Sequence, residues 1–173
     1  MKRKGNIYIK IIEKNNIYKA IINASKRKRT RKNVKKVIDN INVCVDYIYD
    51  ILKNKTYKPN PYEKVKIMDG ARKKERIIFK PQFFPDQCIH WALMQQLEPI
   101  LEKGMYEYCC ASIKNRGILY GANYIKKILV RDRKNTKYCL KLDIKKFYNN
   151  IPKTNIRKYA ELDIGQKFIH NIY

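Results

Sequence analysis

The stretch that decides the predicted fold is YCLKLDIKKFYNNI, residues 138–151. Two sets of residues alternate in its first half. The apolar set is Tyr138, Leu140, Leu142 and Ile144, and the second set is Cys139, Lys141 and Asp143. A period of two is typical of a β-strand with one buried face. The pattern therefore predicts a strand over 138–143 that buries its leucines and presents Asp143 at an open rim, where a cation and a phosphate can reach it. An isolated Asp after a strand is also typical of a turn or a cap.

Helical spacing dominates the residues upstream of this strand. Apolar residues recur at intervals of three and four over 34–53, which predicts one amphipathic helix. The KPNP sequence at 58–61 ends that helix, because proline removes a donor and restricts the residue before it. We also expect helices over 6–24, where the period is poor, and over 120–130.

A β-hairpin and another helix are predicted between these helical regions. Residues 62–69 and 75–80 read as two strands joined across Asp69-Gly70. Residues 86–102 carry an apolar stripe with a 3.6-residue period, so we expect a helix with Asp86 as its N-cap and a stop near Gly104.

The charge of the chain favours a polyanionic partner. It has 40 Lys and Arg against 15 Asp and Glu, a net charge of +25. AT-rich coding would also enrich lysine, together with Ile, Asn and Tyr, but it explains local clusters less well. The segment KRKRTRKNVKK (26–36) is such a cluster, and it reads either as a phosphate-binding patch or as a solvated, frayed linker. The predicted nucleic-acid-binding residues are Lys26, Arg27, Lys28, Arg29, Arg31 and Lys32.

The cysteines and the N-terminus predict a cytoplasmic protein. The five cysteines form no CxxC pair and no metal-ligand spacing with the two histidines, so we expect reduced thiols. The first residues lack the apolar core of a signal peptide. No run approaches the roughly 18 apolar residues of a membrane-spanning helix.

Four segments, in order, carry a resemblance to a known family. Residues 138–151 resemble motif A of reverse transcriptases, in the bacterial group of group II intron and diversity-generating retroelement enzymes. RKKERIIFKP (72–81) is similar to the fingers strand of that family, PDQCIHWALMQQLEPILEKG (85–104) to its fingers helix, and SIKNRG (112–117) to its arginine–glycine turn. The resemblance spans roughly residues 60–155.

The resemblance implies an α+β fold, that of the fingers and partial palm of a right-hand polymerase, mostly helical with a hairpin and a palm strand. It implies a basic helical region at 1–57, a fingers subdomain at 58–136 and the beginning of a palm subdomain at 137–173. The implied activity is RNA-directed DNA polymerisation, a nucleotidyl transfer assisted by two metal ions.

The resemblance also implies roles for individual residues. Asp143 would be catalytic, and its carboxylate and the Ile144 carbonyl would bind Mg²⁺. The ring of Tyr148 would pack under the incoming sugar and exclude a 2′-hydroxyl, although Phe147 and Tyr148 could instead be core aromatics.

Two arginines are implied to bind the nucleotide. Arg76 would bind the triphosphate through the two-pronged geometry of its guanidinium, with help from one of the lysines of the hairpin. Arg116 would lie near the nucleotide, with Gly117 allowing close backbone approach. The alternative for Arg116 is an ordinary surface-turn arginine.

One departure from the family pattern changes the expected activity. The second catalytic motif of the family, an aromatic residue followed by x-Asp-Asp, is missing, and no Asp-Asp pair occurs in the 173 residues. We therefore expect an incomplete fragment that is inactive alone, either a truncated gene product or one piece of a split enzyme. Its partners would be an RNA template, a DNA primer, a dNTP and a companion chain that completes the palm, with no membrane. The alternative is a non-catalytic, basic RNA-binding protein that uses the fingers as a scaffold.

Overall fold

The computed structural model describes residues 5–69 and 74–144, which fall into two compact units, one up to Leu97 and one from Glu98. The described residues form a mixed α+β structure, as the sequence predicted. The elements are α1 (Ile7–Ile12), α2 (Lys14–Ser25), α3 (Lys32–Asp39), α4 (Ile41–Lys53), β1 (Glu63–Asp69), β2 (Lys74–Lys80), α5 (Cys88–Leu101) and α6 (Ile118–Arg131).

Two predicted helices are each broken once. The helix expected over 6–24 is interrupted at Glu13, whose φ of −54° and ψ of 128° are not helical. The helix expected over 34–53 is interrupted at Asn40, with φ −118° and ψ 37°. The Asn40 side chain donates to the Lys36 carbonyl at 3.0 Å, and such a local bond competes with the helical backbone. The single-helix predictions were therefore wrong at these two residues.

The core of the first unit lies where three helices converge. Ile17 and Ile21 of α2, Val34 of α3 and Ile48 of α4 are buried together. The core also includes Phe83, Cys88 and Ile89, so it extends across residue 57, where the predicted N-terminal region ends. The predicted subdomain boundaries themselves remain a prediction.

The predicted hairpin is confirmed as an antiparallel pair. The register pairs Glu63 with Lys80 and Ile67 with Arg76. The predicted turn residue Gly70 lies outside the described residues. The described side chains of both strands are exposed or half-buried, so the hairpin stands out from the core with neither face covered.

Helix α5 confirms the helix predicted over 86–102, and a turn of 3₁₀-helix over Glu102–Gly104 ends it. The N-cap prediction for Asp86 was wrong, because Asp86 lies within a π-helical turn, Phe83–Gln87, and is buried. Its carboxylate accepts hydrogen bonds from the Tyr57 hydroxyl at 2.7 Å and from the Asn60 amide side chain at 2.9 Å. A buried carboxylate needs such partners, and here they come from the segment after α4.

Helix α6 confirms the helix predicted over 120–130, but the palm strand predicted over 138–143 is not formed. Residues 138–144 have no regular structure, and Tyr138, Leu140 and Leu142 are 95%, 81% and 81% exposed. A strand needs a neighbour to receive its backbone hydrogen bonds. Among the described residues the only sheet is β1–β2, so the alternating pattern has no partner there.

Candidate functional site

Arg76 is exposed in the middle of β2. Directly paired residues of an antiparallel sheet point to the same face, so Arg76 shares its face with Ile67. By the alternation of side chains, Val65 and Ile78 lie on that face too. These apolar residues lie on one side of Arg76, and the same face continues to the charged pair of Glu63 and Lys80.

Two lysines of the hairpin have acidic partners. Lys66 forms an ion pair with Glu75 at 3.0 Å, and Lys80 forms one with Glu63 at 3.6 Å. Exposed pairs of this kind contribute little to stability, but they reduce the local positive charge. The sequence could not choose a phosphate-binding helper among these lysines, and the ion pairs disfavour Lys66 and Lys80.

The basic segment 26–32 connects α2 to α3 through hydrogen-bonded turns. The Lys28 amide donates to the Ser25 carbonyl at 2.9 Å, and the Arg31 amide donates to the Lys28 carbonyl at 3.0 Å. Five of the six predicted nucleic-acid-binding side chains are exposed: Lys26, Arg27, Arg29, Arg31 and Lys32. These cations are therefore presented on a defined backbone.

Lys28 is half-buried and joins the basic segment to the base of the hairpin. Its ammonium donates to Gln87 Oε1 at 2.7 Å, and Gln87 Nε2 donates to the Pro81 carbonyl at 2.8 Å. Sequence reasoning missed Gln87 as the residue that links the two elements. No periodic pattern marks a single amide with this role.

The basic segment and the hairpin base meet at one cleft of about 290 Å³. Lys28 and Arg31 line one part of it, while Glu63, Lys80 and Phe84 line another. Two regions that the sequence singled out separately are thus brought together. The combination of cations with an aromatic ring is the kind used to bind single-stranded nucleic acid.

Arg116 and Gly117 lie in the second unit, directly before α6. Nη1 of Arg116 donates to the carbonyls of Tyr106 at 3.2 Å and Glu107 at 3.0 Å, so this guanidinium holds a neighbouring loop. The turn that carries it has Asn115 at φ 65°, a conformation that asparagine tolerates. A Cβ at Gly117 would meet nothing within 4 Å, so local packing does not require glycine there.

Asp143 and Ile144 are exposed in the irregular segment after α6. Asp143 belongs to no group of three or more His, Cys, Asp or Glu among residues 5–69 and 74–144. Mg²⁺ is often bound through one or two carboxylates together with substrate phosphates and water, and the predicted metal-binding role of Asp143 stays a prediction. Tyr148 lies outside the described residues.

A hydrogen-bonded cluster of side-chain amides was also missed by sequence reasoning. Asn16 of α2 is buried and contacts Gln95 and Gln96 of α5. The available signal was a pair of adjacent glutamines on a helix with an otherwise apolar stripe, but their partner 79 positions away in sequence could not be inferred.

Among the titratable groups of the core, Cys88 has the largest shift in pKa. Burial, and to a smaller extent the nearby Cys44, raise the pKa of its thiol to about 12. Near neutral pH this group is a protonated, unreactive thiol. It is therefore part of the packing and not a nucleophile.

In the part of the chain that the structure describes, no helix has both the length and the apolar character needed to cross a lipid bilayer.

Comparison with known proteins leaves the resemblance untested. No protein-family model matches this chain, and no curated protein matches it either.

Proposed function

We propose that this chain is the fingers and the start of the palm of an RNA-directed DNA polymerase of the bacterial retroelement type. The observation that carries the proposal is the hairpin β1–β2, which exposes Arg76 and is followed by α5 and then by the arginine–glycine turn. Three of the four segments on which the resemblance rests thus contain a strand, a helix and a turn, while the described part of the fourth, 138–144, has no regular structure.

On this proposal, different exposed cations bind the dNTP and the nucleic acid. Arg76 binds the triphosphate of a dNTP, because a guanidinium can donate to two phosphate oxygens at once. The exposed residues of the basic segment bind phosphates of the RNA template and the DNA primer, since clustered Lys and Arg release counterions when they do so.

Asp143 and the Ile144 carbonyl would hold Mg²⁺, which neutralises charge on the triphosphate when it is bound. A single carboxylate is too few for two metal ions about 4 Å apart. No Asp-Asp pair is present to supply the others, so we expect the chain to be inactive alone. Further polypeptide, in this protein or in a companion chain, would provide the missing carboxylates and the strands that pair with 138–143.

A non-catalytic RNA-binding protein is the second candidate, and one observation favours it. The basic segment and its cleft are built on the packed core of the first unit, whereas Asp143 lies in a segment without regular structure. In that case the hairpin and the basic segment bind RNA, and Asp143 has no role.

Binding of dTTP, measured by isothermal titration calorimetry with and without Mg²⁺, separates the two functions. We expect Mg²⁺-dependent binding that is weakened by Asp143→Asn and by Arg76→Ala. The matched controls are Asp39→Asn, another exposed carboxylate, and Lys64→Ala, an exposed cation on the other face of the hairpin. Binding of dTTP that does not depend on Mg²⁺ contradicts the polymerase proposal. An equal loss of dTTP binding in the two control variants contradicts it as well.

The second candidate predicts a different result in the same variants. RNA affinity would be unchanged by Asp143→Asn and by Arg76→Ala, and no variant would bind dTTP. Primer extension on poly(rA)/oligo(dT) with dTTP and Mg²⁺ tests the inactivity of the isolated chain. Incorporation that disappears with Asp143→Ala would overturn that part of the proposal.

A further inference from the structure

A second cleft, separate from the residues assigned above, lies in the first unit between α2 and α5. Its volume is about 570 Å³, within the range of small-molecule sites. One stripe of α2 and the adjacent glutamines of α5 line it: Asn15, Asn16, Tyr18, Lys19, Ile22, Asn23, Gln95 and Gln96, with Glu13 at the end. Most of these side chains are amides, which is unusual for a surface that only packs two helices.

Hydrogen bonds fix the orientation of four amides in this cleft, starting from the buried Asn16. Asn16 Nδ2 donates to the carbonyls of Ile11 and Ala92, both at 3.0 Å, and a backbone carbonyl can only accept. Asn16 Oδ1 must then be the acceptor that faces α5. It accepts from Gln95 Nε2 at 2.9 Å and from Gln96 Nε2 at 2.7 Å.

The same logic reaches the outer amides. Gln95 Nε2 uses both of its hydrogens, on Asn16 Oδ1 and on the Asn16 carbonyl, so Gln95 Oε1 is an acceptor. Asn23 Nδ2 donates to that oxygen at 2.7 Å. No amide in this chain of bonds can flip without placing two donors or two acceptors face to face.

Two amides therefore present a defined edge to the cleft. Gln96 and Asn23 each use one N–H within the cluster, and within the described residues no further bond occupies the carbonyl oxygen of either amide. Each amide therefore keeps one N–H donor and one carbonyl acceptor. That pair matches the edge of a nucleobase, and Asn and Gln bind adenine in this way through its N6 and N7 positions.

Tyr18 and Lys19 add the other two features of a nucleotide site. Tyr18 is 43% exposed and lines the same cleft, so its ring is available for stacking. Lys19 follows it, is exposed, and can pair with a phosphate. Unpaired bases of RNA are bound by this combination of an aromatic ring, hydrogen bonds to the base edge and a cation.

We infer that the α2–α5 cleft binds a single unpaired nucleotide, with adenine preferred. Tyr18 stacks on the base, Asn23 and Gln96 bind its edge, and Lys19 binds its phosphate. The inference goes beyond the proposed polymerase function, and none of the side chains that it uses is assigned there to the dNTP, the primer-template or Mg²⁺. The failure of either can therefore be recognised without reference to the other.

The test is a titration of the ¹⁵N-labelled full chain with AMP, followed by two-dimensional NMR. We expect AMP at millimolar concentration to shift the amide signals of 15–23 and 95–96, and UMP to shift them less. Stacking on an aromatic ring contributes enough that Tyr18→Ala should weaken AMP binding by about fivefold or more. The matched control is Tyr62→Ala, which removes an equally exposed tyrosine outside the cleft.

A second pair of variants distinguishes a loss of binding contacts from a loss of folding. Lys19→Ala should weaken AMP binding but leave adenosine binding unchanged, while Lys10→Ala, an exposed lysine of α1 outside the cleft, should change neither. The inference is overturned if AMP shifts no cleft signal, or if Tyr62→Ala weakens binding as much as Tyr18→Ala. Because dTTP is not used, a negative result here leaves the polymerase proposal standing.

Discussion

The two compact units contain similar apolar patterns but use them differently. In the first unit, Ile17 and Ile48 are fully buried where α2 and α4 meet. In the second, Ile118 of α6 is 90% exposed, and no described residue from 101 to 144 is buried. Periodicity therefore predicted helices in both units, but it did not predict whether their apolar faces would be covered.

The described residues of the second unit leave apolar side chains exposed, among them Ile118, Leu119 and Ile125 of α6. Helices gain most of their stability from packing an apolar face, and large exposed apolar patches mark interaction sites. The first unit, by contrast, already has a closed core.

The largest effect that we expect comes from cutting into that core. Ile48→Ala should lower the free energy of unfolding by about 3 kcal/mol, because it removes buried apolar surface and leaves a cavity. The same truncation at exposed Ile118 should change it by less than about 0.5 kcal/mol. Urea denaturation followed by circular dichroism at the helical band measures both. Equal effects would erase the contrast between the units.

The next effect concerns the buried carboxylate of the first unit. Asp86→Ala should destabilise the protein by about 2 kcal/mol, since Tyr57 and Asn60 would lose their shared acceptor. Asp39→Ala removes an exposed carboxylate and should be nearly neutral. If the two variants melt together in a thermal unfolding experiment, the hydrogen bonds of Asp86 do not contribute as described.

A pH effect follows from the thiol of Cys88. Its pKa is raised from 9.0 to about 12 by burial, so the unfolded chain releases this proton first. The stabilising effect is complete below pH 9 and is lost as the pH rises towards about 12, by at most about 1.4 kcal/mol per pH unit. Urea titrations across this window should show a steeper fall for the wild type than for Cys88→Ala. Identical slopes would mean that the thiol is not desolvated.

The smallest effect should come from the second unit. Arg116→Ala removes donors to the Tyr106 and Glu107 carbonyls and should loosen that loop by about 1 kcal/mol or less. Limited proteolysis should then cut near 105–110 faster than in Lys114→Ala, which removes an exposed cation from the same turn. An unchanged cutting rate would show that Arg116 does not hold the loop.

Local patterns predicted most of the first unit. The hairpin and α5 follow from alternation and from a clear apolar stripe, and both are present. The breaks at Glu13 and Asn40 were not predicted. At Glu13 the break is a change of backbone angles that the poor apolar period of 6–24 does not mark. At Asn40 a local amide bond accompanies the break and leaves the apolar spacing of 34–53 intact. The strand at 138–143 failed for a different reason, since no sequence pattern can show that a pairing partner is present.

The candidate site could be predicted as a set of residue types, but not as a set of contacts. Charge clustering pointed to 26–32, yet the bridge from Lys28 through Gln87 to the hairpin base depends on tertiary packing. Arg116 lies in a turn, and its implied role near the nucleotide stays a prediction. Its bonds to two carbonyls emerged only from the structure.

Hydrogen exchange with dTTP and Mg²⁺ tests the central proposal most directly. We expect the nucleotide and the metal together to slow amide exchange at 138–144 and in β2, at 74–80, and we expect removal of Mg²⁺ to abolish the effect at 138–144. RNA alone should slow exchange at 26–32. If dTTP and Mg²⁺ leave both 138–144 and β2 unchanged while RNA protects 26–32, the polymerase proposal is contradicted and the chain is an RNA-binding scaffold.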